Sequence, residues 1–499
     1  MTTLTSHPAM TMINKLKITL MLSLLLMATA CGCAQNSKSN NTFIDESKLF
    51  VSVDKSFDFI QYDANHLVIE GDSVALRNFA RKWWRLLESG KGNITVMQIG
   101  ASHVQGGSFP HQIRRDLIMG ACRALNVNDK PYATFPVGPR GMLFPYSAAQ
   151  KCNNPFDYKV FRSRPLELTR NVYKEPEARL GLCGIAVTAR DSIAEVGIMM
   201  NERDIAFTTN EITVFGESPD NVVPRLRLSV SETKGELLEP DSIDPAGRRF
   251  IYHTDLKFDT ITIIMPCSQG QSFTLTGILL DNDLPGITFH SIGVNGASVN
   301  DYLKKCPYLK QDLALVKPDL VIFGIGINDA AGTTFDSVAF RKKYLSLVDS
   351  IRTVSPECAF IFITNNDSYR SSGRKRINND HGPMARDAFY RIARQCGGAV
   401  WDQFEIMGGL ESIVKWIENE LAARDKVHFT RKGYQLLGDM LSNAIFDMLI
   451  NMRNHSIDST NKDIKVGDKP RDSETPRTYK KVKTSTDESK NEIPVYISY

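Results

Sequence analysis

The 499-residue sequence predicts an α/β fold in which helices cover both faces of a parallel sheet and a β-sandwich is inserted into the chain. Strand and helix patterns alternate before about residue 125 and again after about residue 287, which is typical of a parallel sheet. Between them, short alternating or apolar runs are separated by Gly, Pro, Asp and Asn, and helical periodicity is weak. That block therefore predicts a jelly-roll-like sandwich.

The N-terminus predicts export. Basic residues precede the apolar run 18–27, and the small residues Ala28, Thr29 and Ala30 lead to Cys31. We interpret residues 1–31 as a signal peptide whose end resembles a bacterial lipobox, in which Cys31 is lipidated and fixes the protein to the bacterial membrane. The alternative is a plain signal peptide with an incidental cysteine. Residues 32–50 are polar and predict a tether between lipid and domain.

Composition argues against several function classes. Charged residues make up 23% of the chain and the net charge is only +4, so we expect no nucleic-acid partner. Nine cysteines occur, and no Cys-x-x-Cys pair is present. A zinc site is therefore not expected, and no sequence feature calls for a cofactor.

Residues 51–150 are expected to form the first part of the α/β domain. Apolar residues recur at helical spacing before the first strand, and a turn with Ser102 separates that strand from the next helix. The predicted elements are a helix at Asp72–Glu88, a strand at Ile94–Ile99 and a helix at Gln112–Leu125.

Residues 151–285 are expected to form the inserted sandwich, similar to a carbohydrate-binding module. Its predicted strands are Gly184–Ala189, Ala194–Met200, Glu211–Phe215, Arg225–Val230, Thr260–Met265 and Phe273–Leu280.

Residues 286–452 return to strand–helix alternation and complete the α/β domain. The predicted strands are Thr288–Ile292, Leu320–Gly324, Ala359–Thr364 and Ala399–Trp401. The predicted helices are Phe335–Val354, Pro383–Cys396, Leu410–Ala422 and Arg431–Met452. Residues 453–499 are charged and polar with few large apolar groups, which predicts a disordered tail.

Three residues have the chemistry of a serine nucleophile and its base. Ser102 follows an apolar run, and Asp425 and His428 lie three residues apart late in the chain. A serine hydroxyl needs a base to take its proton, and the base needs a carboxylate to hold its tautomer. Ser102 alone would be a helix N-cap, and His428 alone an ordinary histidine; the ordered set favours catalysis.

Two further residues fall where strands meet their loops. Gly296 and Asn328 each follow an apolar run, and ligands bind at the carboxyl ends of parallel strands. The backbone N–H groups of Ser102 and Gly296, with the side-chain amide of Asn328, are expected to form a three-donor oxyanion hole.

Together these residues resemble the SGNH (GDSL-like) hydrolases, whose four blocks supply a Ser, a Gly, an Asn and an Asp-x-x-His. Here the blocks read Gly-Ala-Ser102-His, Asn-Gly296, Gly-Ile-Asn328-Asp and Asp425-Lys-Val-His428. The resemblance implies a flavodoxin-like parallel sheet and a serine hydrolase acting on ester bonds. One departure is Ala101, where the first block usually has Asp, which places the geometry of the turn in doubt.

The runs 98–105 and 138–146 are similar to bacterial envelope esterases of the peptidoglycan O-acetylesterase type, in which a β-sandwich follows the first block. This resemblance implies a lipid-anchored cell-envelope enzyme that removes O-acetyl or other short acyl groups from a glycan. The alternatives are an O-acetyltransferase with the same catalytic residues, and a catalytically inactive glycan-binding lipoprotein.

Two neighbouring features are interpreted as structural. His103 follows Ser102, and adjacent side chains at a helix start are expected to point apart. The polar segment 365–380, with Arg370, Arg374 and Arg376, favours a solvated loop over a wall of the cleft.

Overall fold

The structure is a computed structural model that describes residues 44–127, 135–149, 152–153, 155–201, 205–230, 235–459, 480–482 and 495–497. The proposed signal peptide, Cys31 and most of the tether lie outside the described residues, as does most of the predicted tail. None of the described helices is both long and apolar enough to cross a membrane.

Ten α-helices occur in the described residues, and three short 3₁₀ turns accompany them. The helices are α1 (Val74–Ser89), α2 (Ser102–Gln105), α3 (Ser108–Ala124), α4 (Val299–Lys305), α5 (Leu309–Val316), α6 (Ser337–Arg352), α7 (Gly382–Cys396), α8 (Gln403–Ile406), α9 (Ser412–Glu418) and α10 (Arg431–Ser459).

The strands are numbered in chain order. They are β1 (Leu67–Glu70), β2 (Asn93–Gly100), β3 (Gly141–Leu143), β4 (Tyr158–Arg162), β5 (Glu167–Arg170), β6 (Ile185–Arg190), β7 (Ala194–Met200), β8 (Glu211–Glu217), β9 (Arg225–Ser229), β10 (Glu236–Leu238), β11 (Ser242–Ile243), β12 (Arg249–His253), β13 (Thr260–Met265), β14 (Ser272–Asp281), β15 (Gly286–Gly293), β16 (Leu320–Gly324), β17 (Ala359–Ile363), β18 (Tyr369–Ser372), β19 (Lys375–Asn378), β20 (Gly398–Trp401), β21 (Lys480–Val482) and β22 (Val495–Ile497).

A six-stranded sheet forms the centre of the α/β part, in the order β1-β20-β17-β16-β2-β15. All its neighbouring strands are parallel except β1, which pairs antiparallel with β20. Parallel strands are buried on both faces, which accounts for their nearly continuous apolar sequences. Along β16, Leu320 and Ile322 pack into one hydrophobic cluster, while Val321 and Phe323 pack into the other on the opposite face.

The β-rich block forms two antiparallel sheets. One has the order β10-β9-β13-β7-β4, and the other has the order β11-β12-β8-β14-β6-β5, with β3 pairing β14 outside that path. The mixed central sheet with its helices and these added antiparallel sheets confirm the predicted fold class. Strand β3, at residues 141–143, lies before the predicted boundary at residue 151 and still pairs with β14 of the block. The boundaries at 151 and 285 stay a prediction.

Several elements differ from the sequence prediction. Helices α4 and α5 were not predicted; α4 begins at a capping box in which Ser298 and Asp301 satisfy each other's backbone N–H groups. The segment predicted as a solvated loop contains the hairpin β18–β19. Helix α10 runs to Ser459 rather than Met452, and the described part of the tail includes β21 paired with β22.

Candidate active site

Ser102 lies at the turn from β2 into α2, at the carboxyl end of a central strand. This turn is tight: a Cβ atom at Gly100 would lie 2.2 Å from Cγ2 of Val104 and 2.8 Å from the carbonyl oxygen of Gly324. The backbone N–H of Gln105 donates to the Ala101 carbonyl oxygen at 2.9 Å, which closes the first turn of α2. The sequence therefore needs a glycine before the turn and tolerates little bulk around it.

Ala101 is fully buried, at 0% exposure, inside the hydrophobic cluster that includes Met97 and Ile99. An ionised carboxylate at this position would be costly without a buried partner. The alanine thus suits its apolar surroundings, and the turn that presents Ser102 forms around it.

The structure brings Ser102, His428 and Asp425 into one hydrogen-bonded line. Oγ of Ser102 lies 2.7 Å from Nε2 of His428, and Nδ1 of His428 lies 2.7 Å from Oδ2 of Asp425. Because the ionised Asp425 carboxylate can only accept, Nδ1 of His428 donates to it, and Nε2 is left to accept from the Ser102 hydroxyl. This arrangement is suited to taking the proton from a serine nucleophile.

The Asp425 carboxylate is held by its own loop. Its Oδ1 accepts the backbone N–H groups of Val427 at 2.9 Å and His428 at 3.0 Å. Burial raises the pKa of Asp425, but hydrogen bonds from His428 and Val427 and attraction to the His428 ring outweigh it, so the pKa is lowered overall. The carboxylate is therefore ionised where it must orient the imidazole.

The loop that carries Asp425 and His428 is closed at its base by backbone hydrogen bonds. Ala423 N–H donates to the His428 carbonyl oxygen at 2.7 Å, and Thr430 N–H donates to the Leu421 carbonyl oxygen at 2.9 Å. Behind it, the Phe429 ring contacts Trp416 at a centroid distance of 5.2 Å. The base is thus mounted on a rigid loop, which suits catalysis.

Gly296 lies just after β15, in an exposed turn with φ of 82°, which favours glycine. Gln105 connects this turn to α2, because its Oε1 accepts the Asn295 backbone N–H at 2.7 Å. The guanidinium of Arg170 also donates to the Asn295 carbonyl oxygen. Sequence reasoning missed Gln105, although its place three residues after Ser102 on a one-turn helix was a signal.

Asn328 lies in the loop after β16, half-buried, and its Nδ2 donates to the Ala297 carbonyl oxygen at 2.9 Å. An amide nitrogen carries two hydrogens, so one remains for a ligand. The neighbouring Asp329 accepts the Val299 N–H at 3.2 Å and therefore caps α4. Burial raises the pKa of Asp329 to about 6. These contacts fix the Asn328 loop against the Gly296 turn.

His103 lies against the base instead of pointing away from it. Its ring centroid is 5.2 Å from that of His428, and its Nδ1 lies 2.7 Å from the Tyr434 hydroxyl. Burial, with repulsion from His428, lowers the pKa of His103 to about 3, although Asp425 opposes the shift. A neutral imidazole thus forms one wall of the site, which the sequence did not indicate.

Comparison with known proteins finds a family model that matches part of the chain. Residues 269–436 match the model of the GDSL-like Lipase/Acylhydrolase family, a stretch that includes Gly296, Asn328, Asp425 and His428 but not Ser102. No curated protein matches the chain.

Among solved structures, one described as "Peptidoglycan O-acetylesterase in action, 5 min" is 20% identical with a TM-score of 0.61, covering 77% of this chain and 99% of that chain. A carbohydrate esterase family 2 enzyme with a carbohydrate binding domain from Corynascus thermopiles (Myceliophthora fergusii) is 11% identical, with a TM-score of 0.26 and coverage of 57% and 99%. A GDSL-like lipase from Bacteroides thetaiotaomicron is 17% identical, with a TM-score of 0.26 and coverage of 32% and 76%.

The match over residues 269–436 and the shared fold show that this α/β part is similar to the SGNH (GDSL-like) hydrolases, and they support a serine hydrolase acting on ester bonds.

Proposed function

We propose that this esterase removes O-acetyl, or other short acyl, groups from a glycan of the bacterial cell envelope, such as peptidoglycan or a polysaccharide. The observation that carries the proposal is the 2.7 Å contact from Ser102 Oγ to His428 Nε2, continued by the 2.7 Å contact to Asp425. The substrate class is drawn from the solved structure described as a peptidoglycan O-acetylesterase, whose fold this chain shares.

In the proposed mechanism, Ser102 Oγ attacks the ester carbonyl carbon while His428 Nε2 takes the hydroxyl proton. The tetrahedral intermediate collapses to an acyl-serine, and His428 returns the proton to the departing sugar oxygen. A water molecule then attacks the acyl-serine and gives its proton to His428. As the intermediate collapses, His428 returns that proton to Ser102 Oγ, and the carboxylic acid and free Ser102 are released. Asp425 stays ionised and stabilises the imidazolium in both halves.

The proposed oxyanion donors are the Ser102 N–H, the Gly296 N–H and Nδ2 of Asn328. The Ser102 N–H begins α2, where backbone N–H groups have no acceptor within the helix. Asn328 is oriented by its contact with the Ala297 carbonyl oxygen. We expect Asn328→Ala to lower kcat about a hundredfold with little change in KM, because such a donor acts mainly in the transition state.

Acetate release from O-acetylated peptidoglycan by the full chain tests the proposal. We expect Ser102→Ala and His428→Ala each to remove nearly all release, and the double variant to be hardly worse, because the residues act as a unit. Asp425→Asn should be less damaging than either. Ser346→Ala, on the exposed face of α6, is the matched control. Full activity in His428→Ala would contradict the assigned base.

A transferase would move the acetyl group to a second glycan instead of to water. The same assay with an unacetylated acceptor glycan separates the two, since an esterase releases acetate in proportion to the ester consumed. An inactive glycan-binding protein would bind the polymer and hydrolyse no ester, including para-nitrophenyl acetate.

Envelope attachment is a separate part of the proposal and rests on the sequence around Cys31. If Cys31 is lipidated, the protein made in bacteria should fractionate with membranes, and Cys31→Ser should release it. Cys33→Ser, two residues away, is the control and should stay with the membranes.

A further inference from the structure

Hairpin β18–β19 is built against the loop that carries the base. Arg376 Nη2 donates to the Asp425 carbonyl oxygen at 2.8 Å, and Tyr369 N–H donates to the Lys426 carbonyl oxygen at 2.9 Å. The Lys426 ammonium lies 3.9 Å from the centroid of the Tyr369 ring. The strands of the hairpin are therefore direct neighbours of Asp425 and Lys426, and its tip extends from them.

The base of the hairpin is anchored in the protein interior, so its position is defined. Asp367 is buried, and its carboxylate accepts Nδ2 of Asn378 at 3.1 Å and the Ile413 N–H at 3.0 Å. Nearby, Asn366 Nδ2 donates to the Val427 carbonyl oxygen at 3.0 Å. These contacts join both ends of the hairpin to the Asp425 loop and to α9.

The tip of this hairpin is cationic. Arg374, Lys375 and Arg376 are consecutive and exposed, and we call them the basic rim. In the described part of the chain, no carboxylate lies within ion-pair distance of the three; Arg370 is the hairpin cation that pairs, with Asp380 at 2.8 Å. The exposed Arg424 precedes Asp425 and adds positive charge.

What distinguishes the basic rim is its place beside the Asp425 loop, since the chain has another run of three cations at Arg341–Lys343 on α6. The whole chain has a net charge of only +4, so its surface as a whole is not strongly basic. Like charges held together repel each other, and a bound anion relieves that repulsion. Guanidinium and ammonium groups at the edge of a site bind carboxylates through charge-assisted hydrogen bonds.

We propose that the basic rim binds carboxylate groups of the glycan substrate, so that the enzyme selects anionic, carboxylate-bearing glycan strands over neutral ones. This inference rests on the proposed function and names its substrate class more closely. Carboxylates on the sugars or on attached peptides would contact Arg374 and Lys375 while a neighbouring acyl ester reaches Ser102. The rim would then act on substrate capture, and so on KM, more than on the chemical step.

The first test is binding to the full chain carrying Ser102→Ala, which prevents turnover. The probe is soluble, uncross-linked peptidoglycan strands with free carboxylates, compared by calorimetry with the same strands after amidation of those carboxylates. We expect the free-acid strands to bind about tenfold more tightly, a preference that falls as salt is added. Arg374→Gln combined with Lys375→Gln should remove that preference. Arg376 is left intact because it also supports the Asp425 loop.

The control is Arg85→Gln combined with Lys91→Gln, which removes the same charge from exposed positions before the amino end of β2, at the opposite edge of the sheet. It should retain the preference for free-acid strands. Thermal melting and circular dichroism check that both double variants are folded. Equal affinity for free and amidated strands, or equal losses in rim and control variants, would overturn the proposal. The proposal would also be overturned if the rim variant lost binding to anionic lipid vesicles while it kept its binding to the strands.

The kinetic test uses chains with Ser102 intact. The rim variant should lose about tenfold more kcat/KM on O-acetylated strands than on para-nitrophenyl acetate, which carries no carboxylate. A wild-type chain that hydrolyses neither ester would contradict the proposed function, whereas the calorimetric result decides the role of the rim independently.

Discussion

At the scale of single residues, His103 explains how the base can be held by packing as well as by hydrogen bonds. Its ring lies 5.2 Å from His428 and 6.0 Å from Phe429, between centroids, and its Nδ1 contacts Tyr434. With its pKa lowered to about 3, the ring is neutral at neutral pH and adds no charge beside the imidazolium that forms on His428. We therefore assign His103 a positioning role.

We expect His103→Phe, which keeps the ring but loses the contact with Tyr434, to lower kcat only a few-fold, and His103→Ala about tenfold or more, because misplacing a base reduces catalysis steeply. KM should change little in either. The pH–rate profile of His103→Phe should keep the acid limb of the wild type, since no titrating group is removed. Loss of activity as deep as in Ser102→Ala would instead indicate direct participation.

Asp116 shows a different consequence of burial. It lies on α3 at 0% exposure, and Gln112 Nε2 donates to both Asp116, at 3.1 Å, and Asp439, at 2.7 Å. Burial, followed by repulsion from Asp439, raises the pKa of Asp116 to about 8, with Arg115 opposing. The folded state therefore holds a proton on this pair that the unfolded chain, with a pKa near 3.8, releases.

A raised carboxyl pKa in the folded state means that stability falls as pH rises from the unfolded value towards about 8. We expect Asp116→Asn to flatten that fall and to be more stable than the wild type by at least about 1 kcal/mol above pH 8. Urea unfolding of both proteins, at pH values from about 4 to above 8, measures the free energy of unfolding. Asp58→Asn, at an exposed position, is the control. A variant curve parallel to the wild type would contradict the assignment.

At the scale of elements, the sequence predicted best where burial is complete. Strands β2, β16 and β17 have apolar side chains on both faces, so their sequences are distinctive and their positions were confirmed. Helices α4 and α5 were missed because short helices carry few periodic residues, and tertiary packing determines them. Hairpin β18–β19 was missed because its polar strands show no apolar alternation.

Helix α10 offers a test of how element packing supports the site. A Cβ atom at Gly433, in its first turn, would lie 1.9 Å from the Leu421 carbonyl oxygen, which also accepts the Thr430 N–H. Alanine would therefore push the helix start away from the strand-like bridge between Ala422 and Phe429 that closes the His428 loop.

Alanine normally favours a helix over glycine by about 1 kcal/mol, yet we expect Gly433→Ala to destabilise the protein by about 1–3 kcal/mol, because the clash is with backbone. The melting temperature and kcat should fall together. Lys432→Ala, an exposed change in the same turn, should leave both nearly unchanged. Unaltered stability in Gly433→Ala would mean that the helix start shifts freely.

At the scale of the whole molecule, the sequence indicated that the groups of the site come from both sides of the β-rich block. Ser102 precedes the block, and Gly296, Asn328, Asp425 and His428 follow it. Their order was readable because each lies at a strand end or in the last loop. The contacts that align them, through His103, Gln105 and the basic rim, were not readable, since they depend on side-chain packing between distant segments.

The β-rich block shares its interior with the α/β part. One hydrophobic cluster includes Ile185 and Phe273 of the block together with Ile99 and Phe323 of the central sheet. Polar contacts cross the same boundary. Asp312 of α5 accepts the Leu182 N–H at 2.8 Å and pairs with the buried Arg248 at 3.4 Å. The Tyr308 hydroxyl also donates to Oε2 of Glu217, in the block, at 3.0 Å.

Because apolar burial across this boundary stabilises both parts, we expect the full chain to unfold in one cooperative transition, and residues 151–285 expressed alone to lack a sharp one. Calorimetry of both proteins measures this. Asp312→Ala leaves Arg248 buried without its carboxylate, a change that typically costs about 3–5 kcal/mol. It should therefore lower the melting temperature of the full chain while the chain still unfolds in a single transition. The control is Asp283→Ala, at an exposed position in the turn between β14 and β15. An isolated block that melts sharply at the temperature of the full chain would show instead that the sandwich is an independent domain.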